Sequence, residues 1–133
     1  MTRINLVEPE TLCREHLIAE YHELPRIFGL VKKAIERGET PNDKRNPSTY
    51  RLGKGHVRFF YPRLGFLVDR QNKLVNECKK RGYNINFGGT ETLTKGIPKI
   101  WFGNYKPTKE ALAENKARID ERLEIINIRK RKG

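Results

Sequence analysis

The sequence predicts an all-α protein in which three amphipathic helices, joined by two long ordered connections, form one compact domain over residues 1–133. Three observations support this class. Apolar residues recur at three- and four-residue spacing in three separate segments. The connections are rich in Gly, Pro, Asn and Thr and contain no convincing strand pattern. The length suits a single domain with one modest hydrophobic core.

The first helix is predicted from about Glu10 to Arg37. Pro25 lies inside it, so we expect a kink there, because proline removes a backbone donor and crowds the preceding turn. Gly38 is a natural stop just past the end. The apolar residues of this helix form one stripe: Leu17, Tyr21, Leu24, Phe28, Val31 and Ile35.

The second helix is predicted from about Pro62 to Arg81 and is closed by Gly82. The third is predicted from about Thr108, a plausible N-cap, to Arg131. The apolar stripe of the second helix is Leu64, Leu67, Val68, Leu74, Val75 and Cys78. The inward-facing residues of the third are Leu112, Ile119, Leu123 and Ile126.

The two connections, residues 39–61 and 83–107, are unusually long for so small a domain. Connections of this length are usually functional or pack as part of the core. Apolar and aromatic residues within them favour packing: Val57, Phe59, Phe60, Tyr61, Ile97, Ile100, Trp101 and Phe102.

The charge balance points to a polyanionic partner. The 28 Lys and Arg residues against 16 Asp and Glu residues give a net charge of +12, and nucleic acid is the commonest partner of so basic a small protein. No stretch approaches the roughly 18–20 apolar residues of a membrane span. The first ten residues lack a signal-type apolar core, so we expect an intracellular monomer whose Cys13 and Cys78 are reduced thiols.

The sequence offers no support for a metal or any other cofactor. The three histidines, His16, His22 and His56, form neither an HExxH motif nor a cluster with cysteine. No P-loop or dinucleotide-binding glycine motif is present. Gly53 and Gly55 in the segment RLGKGH could approach a phosphate closely, but a lone GxG is more often a plain turn.

The first helix carries a polar group beside its apolar stripe. Glu23 lies seven residues after His16, almost directly above it at 100° per residue, and Arg26 lies beside Glu23. His22 flanks Glu23 on the more exposed side. Residue types alone favour a solvated helix face with a few ion pairs over a catalytic site.

The N-terminal residues MTRINL, followed by ETLCREHLIAEYHELPRIFG, closely resemble the phage-type pyrimidine-dimer DNA glycosylase and abasic-site lyase family. The resemblance continues through LGKGHVRFFYPRLGFLVDRQ, NECKKRGYNI and ARIDER. It runs from Met1 to about Arg122 with the segments in order and nearly equal spacing. These motifs together are highly specific.

The resemblance implies a DNA-repair enzyme that acts on damaged double-stranded DNA. In this family the initiator methionine is removed, and the amine of the next residue, here Thr2, is the nucleophile. The catalytic glutamate matches Glu23, and the active-site histidine matches His16. The family's basic DNA-binding groups match Arg3, Arg26, Arg118 and Arg122. His22 replaces a family arginine and Arg122 a family lysine, so His22 is expected to contact phosphate less well.

The C-terminal tail departs from the family pattern. The family's best-known member ends in aromatic residues linked to lesion reading, whereas LEIINIRKRKG contains none, and no aromatic residue follows Tyr105. Lyase chemistry should survive this change, whereas the choice of lesion need not. Two alternatives stay open: an abasic-site lyase or glycosylase without dimer preference, and a non-catalytic nucleic-acid-binding protein.

Overall fold

A computed structural model describes residues 3–132, with side chains through Lys130. These residues form helices and no β-strand, which confirms the all-α class. The helices are α1 (Arg14–Glu23), α2 (Arg26–Glu36), α3 (His56–Phe59), α4 (Leu64–Lys80), α5 (Glu91–Thr94) and α6 (Lys109–Lys132), with 3₁₀ turns at Pro9–Thr11 and Lys99–Trp101.

The prediction of three helices is wrong in its count, chiefly because the predicted first helix is two helices. The helix starts at Arg14 rather than Glu10 and breaks at Pro25. The amide of Leu24 still bonds to its i−4 carbonyl, but Ile27 and Phe28 bond to i−3 carbonyls at 3.1 and 3.2 Å. Proline cannot donate the intervening bond, so the expected kink becomes a full break.

The two long connections are ordered and partly helical, since they contain α3 and α5. Phe59, Phe60 and Trp101 are buried in the core, as expected for connections that pack. Ile100 contradicts this expectation, because it is 70% exposed. A 3₁₀ turn sends successive side chains about a third of a turn apart, so burying Trp101 directs Ile100 outward.

The core lies where α1 packs against α4. The predicted stripes of these helices face each other there, with Leu17, Leu24, Leu67 and Leu74 fully buried. Cys78 is a buried free thiol. None of the helices within residues 3–132 is long and apolar enough to cross a membrane.

The second connection is held against the start of α4 by a close backbone approach. The amide of Gly103 donates to the carbonyl of Pro62 at 3.1 Å, and Phe66 donates to the carbonyl of Gly103 at 3.3 Å. A Cβ at Gly103 would lie 2.4 Å from the Pro62 oxygen, so only glycine fits.

The last helix, α6, begins after a side-chain cap. The Thr108 hydroxyl accepts a hydrogen bond from the Ala111 amide at 3.0 Å, which confirms Thr108 as the N-cap of α6.

Candidate functional site: a basic pocket beside the N-terminal segment

The N-terminal segment is buried without belonging to a helix or sheet. Ile4, Asn5 and Leu6 are each at most 7% exposed. A buried backbone amide needs a hydrogen-bond partner, and here side chains from distant elements supply it. The amide of Leu6 donates to the side-chain oxygen of Asn115 on α6 at 2.7 Å. The segment is therefore fixed by the helices around it.

A buried ion pair lies beneath this segment. The guanidinium of Arg70 on α4 contacts the carboxylate of Glu20 on α1 at 2.7 Å, with side chains 4% and 1% exposed. Asn5 donates to the same carboxylate at 2.9 Å and accepts from Asn115 at 2.9 Å. Arg70 also donates to the carbonyl of Val7. Burial of these charges is tolerated because each is paired and hydrogen-bonded.

His56 holds the segment from the other side. Its Nε2 accepts a hydrogen bond from the Ile4 amide at 2.8 Å, while its Nδ1 lies 2.8 Å from the carbonyl of Arg51. These partners require a neutral ring with the proton on Nδ1. Gly55, in the left-handed conformation at φ 89°, starts the turn of α3 that presents His56. The segment Gly53-Lys54-Gly55 thus forms a turn, which is the commoner structure for a lone GxG sequence.

An open pocket of about 290 Å³ lies where the segment meets α1 and α6. It is lined by Arg3, Asn5, His16, Ala19, Glu20, Glu23 and Arg122. Four residues singled out from the sequence are therefore brought together: Arg3, His16, Glu23 and Arg122. His16 and Glu23 share one face of α1, as their seven-residue spacing predicts.

The other predicted residues do not line the pocket. His22 is exposed, with its ring edge-on to Tyr21 at 4.9 Å between centroids. Arg26 is exposed at the first position of α2. Arg118 is half-buried on α6, one turn before Arg122. Thr2 lies outside the described residues.

Arg3 and Arg122 bring two guanidinium groups to the pocket lining, and Arg118 lies near Arg3. Burial, followed by repulsion from Arg122 and Arg118, lowers the pKa of the Arg3 guanidinium. Burial and the nearby Arg3 also lower the pKa of His16, which favours its neutral form. Its Nδ1 is buried and has no hydrogen-bond partner among residues 3–132. Of the two carboxylates in the lining, Glu20 is already paired with Arg70, which leaves Glu23 beside the guanidinium groups of Arg3 and Arg122. Such a site suits a ligand that combines phosphates with a centre of developing positive charge.

Sequence reasoning missed Asn5 and Glu20, which form the floor of the pocket. A signal for Glu20 exists, because it lies three residues after Leu17 and four before Leu24, inside the apolar stripe. Arg70 interrupts the stripe of α4 in the same way, between Leu67 and Leu74. Two opposite charges at core positions of neighbouring helices indicate a buried pair. Within residues 3–132, no group of histidine, cysteine and carboxylate side chains is suited to hold a metal ion.

The buried His56 and the half-buried His16 are expected to make stability depend on pH. Burial lowers the pKa of His56, as it does that of His16, below the unfolded value of about 6.5. As the pH falls below 6.5, the unfolded chain binds these protons first, so the free energy of unfolding is expected to decrease. Carboxylates with a lowered pKa, such as Glu15, affect the free energy of unfolding only at lower pH.

Urea unfolding at pH 7.5, 6.5 and 5.5 checks this prediction. The wild-type free energy of unfolding should fall across the series, and His56→Gln should show a shallower fall because it removes one of the two titrating rings. A wild-type value that is constant over this range would contradict the lowered pKa of these two histidines.

Comparison with known families identifies one match. The family described as pyrimidine dimer DNA glycosylase matches residues 1–88, which include the N-terminal segment, α1, the turn that presents His56, and α4. The match covers three of the four predicted pocket residues, Arg3, His16 and Glu23, and excludes α6 with Arg118 and Arg122.

Proposed function

Because the chain belongs to the pyrimidine dimer DNA glycosylase family, we propose that it is a bifunctional, metal-free enzyme that removes the damaged base and then cuts the strand at the abasic site. It acts as a monomer on double-stranded DNA. The nucleophile is the α-amino group of Thr2 after removal of Met1. The observation that carries this proposal is the pocket in which Arg3, the residue bonded to Thr2, meets Glu23.

An N-terminal amine suits this chemistry because attack requires its unprotonated form. The α-amino group has a pKa of about 7.7–8.0, against about 10.4 for lysine, so near neutrality it is free several hundred times more often. The positive charges of Arg3 and Arg118 would lower that pKa by repulsion, while Glu23 would raise it. Thr2 is small enough for ordinary removal of Met1.

The proposed reaction proceeds in two steps. The amine attacks C1′ of the sugar, the bond from C1′ to the base breaks, and the base leaves with the bonding electrons. Loss of a proton from nitrogen and opening of the sugar ring give an imine. Glu23 stabilises the cationic sugar and, directly or through water, takes a proton from C2′. The bond from C3′ to its oxygen then breaks by β-elimination, which cuts the strand on the 3′ side.

The cations on α1, α2 and α6 that the family resemblance singles out are proposed to bind DNA phosphates: His22, Arg26, Arg118 and Arg122. Contacts to phosphate position the protein but carry no sequence information. Access to C1′ within a duplex requires bending the DNA and extruding a nucleotide, and the family resemblance implies extrusion of the base opposite the lesion.

Replacing Arg26 or Arg118 with alanine is expected to weaken binding and to reduce its salt dependence. Each lost phosphate contact should flatten the log–log plot of affinity against salt by about 0.9. Arg45→Ala is the matched control, since the Arg45 guanidinium is already paired with Asp43 at 2.9 Å. Affinity measured from 50 to 200 mM salt checks the prediction. A wild-type slope in both variants would show that these arginines do not bind phosphate.

The experiment that tests the proposed function compares three duplexes under single-turnover conditions: one with a single pyrimidine dimer, one with a single abasic site, and one undamaged. The enzyme should cut the first two and leave a β-elimination product. Cleavage of the abasic duplex alone would favour the lyase without dimer preference. Binding without cleavage of either would show a non-catalytic nucleic-acid-binding protein.

Discrimination between dimer and undamaged DNA is expected to be weaker than in aromatic-tailed relatives. The end of α6 is basic, and Lys130 contacts Glu15 at 3.1 Å, beside the pocket residue His16. Lysine and arginine contact phosphates, which carry little information about a lesion. Loss of an aromatic side chain stacked on a base costs about 1–3 kcal/mol of binding free energy. Trp101 is 2% exposed and cannot supply such a stack. A preference above a thousandfold in competition binding would contradict this expectation.

A further inference from the structure

The N-terminal segment is held by side chains rather than by a neighbouring strand. The Ile4 amide donates to His56, and the Leu6 amide donates to Asn115. These two partners come from α3 and α6, which lie 52 and 109 residues further along the chain. The Asn115 oxygen also accepts a longer hydrogen bond from the Val7 amide, at 3.4 Å. The backbone amides of the segment are thus bound by two fixed acceptors on separate elements.

This arrangement fixes the register of the segment. In an extended chain, successive side chains point to opposite sides. Arg3 and Asn5 line the pocket, whereas Ile4 and Leu6 are buried in the core. A slip of one residue would exchange the two sets and leave buried amides without acceptors. A partner strand offers equivalent groups at every residue, whereas two acceptors on separate elements, together with the alternation of pocket and core side chains, favour one alignment.

We propose that His56 and Asn115 are positioning residues that fix Arg3 at the pocket and thereby set the position of the reacting amine of the residue bonded to it. This inference rests on the proposed function, since it takes the N-terminal amine as the nucleophile. Neither residue lines the pocket, so each acts through the backbone of the segment. Misplacement of a reacting group by about 1 Å can cost on the order of 10²-fold in rate.

The surroundings of His56 keep its Nε2 available as an acceptor. The rings of Tyr50 and Phe60 pack edge-on against it, each at 5.5 Å between centroids. Arg3 and Arg118 are the charged groups that face it, and both disfavour a protonated ring. A protonated ring would carry hydrogen on both nitrogens and could not accept from Ile4.

The test compares His56→Leu, which removes the acceptor, with His56→Gln, whose side-chain oxygen can accept the same hydrogen bond. Three quantities are measured for each: the single-turnover rate of strand cleavage on an abasic duplex, the Kd for a duplex with a chemically reduced abasic site, and the melting temperature. His56→Leu should slow the rate by about 10- to 100-fold. The Kd should change less than about threefold, and His56→Gln should recover most of the rate.

Gln71→Leu is the matched control. Gln71 is fully buried and donates to the carbonyl of Tyr21 at 3.2 Å. Its loss also costs one buried hydrogen bond, but between α4 and α1 rather than to the N-terminal segment. It should lower the melting temperature and leave the rate unchanged. If Gln71→Leu slows cleavage as much as His56→Leu at equal loss of stability, the effect is general destabilisation and the inference is overturned.

Asn115→Ala provides a second route should His56→Leu fail to fold, with the same three measurements. A single-turnover rate within threefold of wild type in either folded variant would overturn the inference. The outcome is separable from the proposed function. If wild type forms its covalent intermediate at the N-terminal residue while both variants react at the wild-type rate, only the positioning role fails.

Discussion

Adding a single residue before Thr2 is expected to reduce cleavage at abasic sites by on the order of 10²-fold or more. The extra residue moves the amine by up to about 3.8 Å along the chain. The segment cannot absorb this shift by sliding, because the Ile4 and Leu6 amides are bound by His56 and Asn115. DNA binding should persist, since the cations on α2 and α6 are unchanged.

Two proteins released from the same fusion by a site-specific protease make the comparison, one beginning at Thr2 and the other with one additional glycine. Single-turnover cleavage and affinity for a reduced abasic duplex are measured for both. An acetylated N-terminus serves as a second form, in which the amine becomes a non-nucleophilic amide without an added residue. Equal rates in all three proteins would exclude the amine as the nucleophile.

Glu23→Gln is expected to lower base release and strand cleavage by about 10²–10⁴-fold, the usual contribution of a general acid or base. Glu23 is half-buried at the last position of α1 and lines the pocket. The neutral amide keeps its size but can neither stabilise a cationic sugar nor take a proton. Folding and DNA affinity should change little, because the side chain lies off the buried stripe.

Glu20→Gln is the matched control for Glu23→Gln, since the two glutamates lie one turn apart and both line the pocket. Glu20 is 1% exposed and paired with Arg70, so its replacement leaves a buried charge uncompensated. Loss of one partner of a buried pair costs about 3–5 kcal/mol of the free energy of unfolding. Glu20→Gln should therefore reduce mainly the stability of the protein, whereas Glu23→Gln should reduce mainly its activity. A drop below tenfold in Glu23→Gln would remove Glu23 from the chemistry.

The helices were largely predictable from the sequence because apolar periodicity reports directly on burial. The stripes of α1, α2 and α4 are buried except at Ile35 and Val68, which are partly buried, and Thr108 caps α6. At Pro25 the sequence predicts a kink, whereas the structure has a break between α1 and α2. The short helix α3 and the exposed side chain of Ile100 were not predictable from periodicity, because one turn is too short to show a period.

The pocket was only partly predictable. The seven-residue spacing of His16 and Glu23 places both on one face of α1, but nothing in that spacing brings Arg3 or Arg122 to it. Asn5, part of the buried floor, was not predictable because its hydrogen-bond partner Asn115 lies 110 residues further along the chain. Such a pairing depends on the tertiary arrangement, and polar residues at core positions only indicate that partners exist. The role of Thr2 came from the family resemblance alone.

Borohydride reduction of the enzyme mixed with an abasic duplex, followed by peptide mapping of the covalent adduct, tests the central claim most directly. An imine is reduced to a stable amine, so the adduct marks the nitrogen that attacked C1′. The proposed mechanism predicts a single adduct on the α-amino nitrogen of Thr2, in a protein from which Met1 has been removed. An adduct on the side chain of an internal lysine, or strand cleavage with no adduct at all, would contradict it.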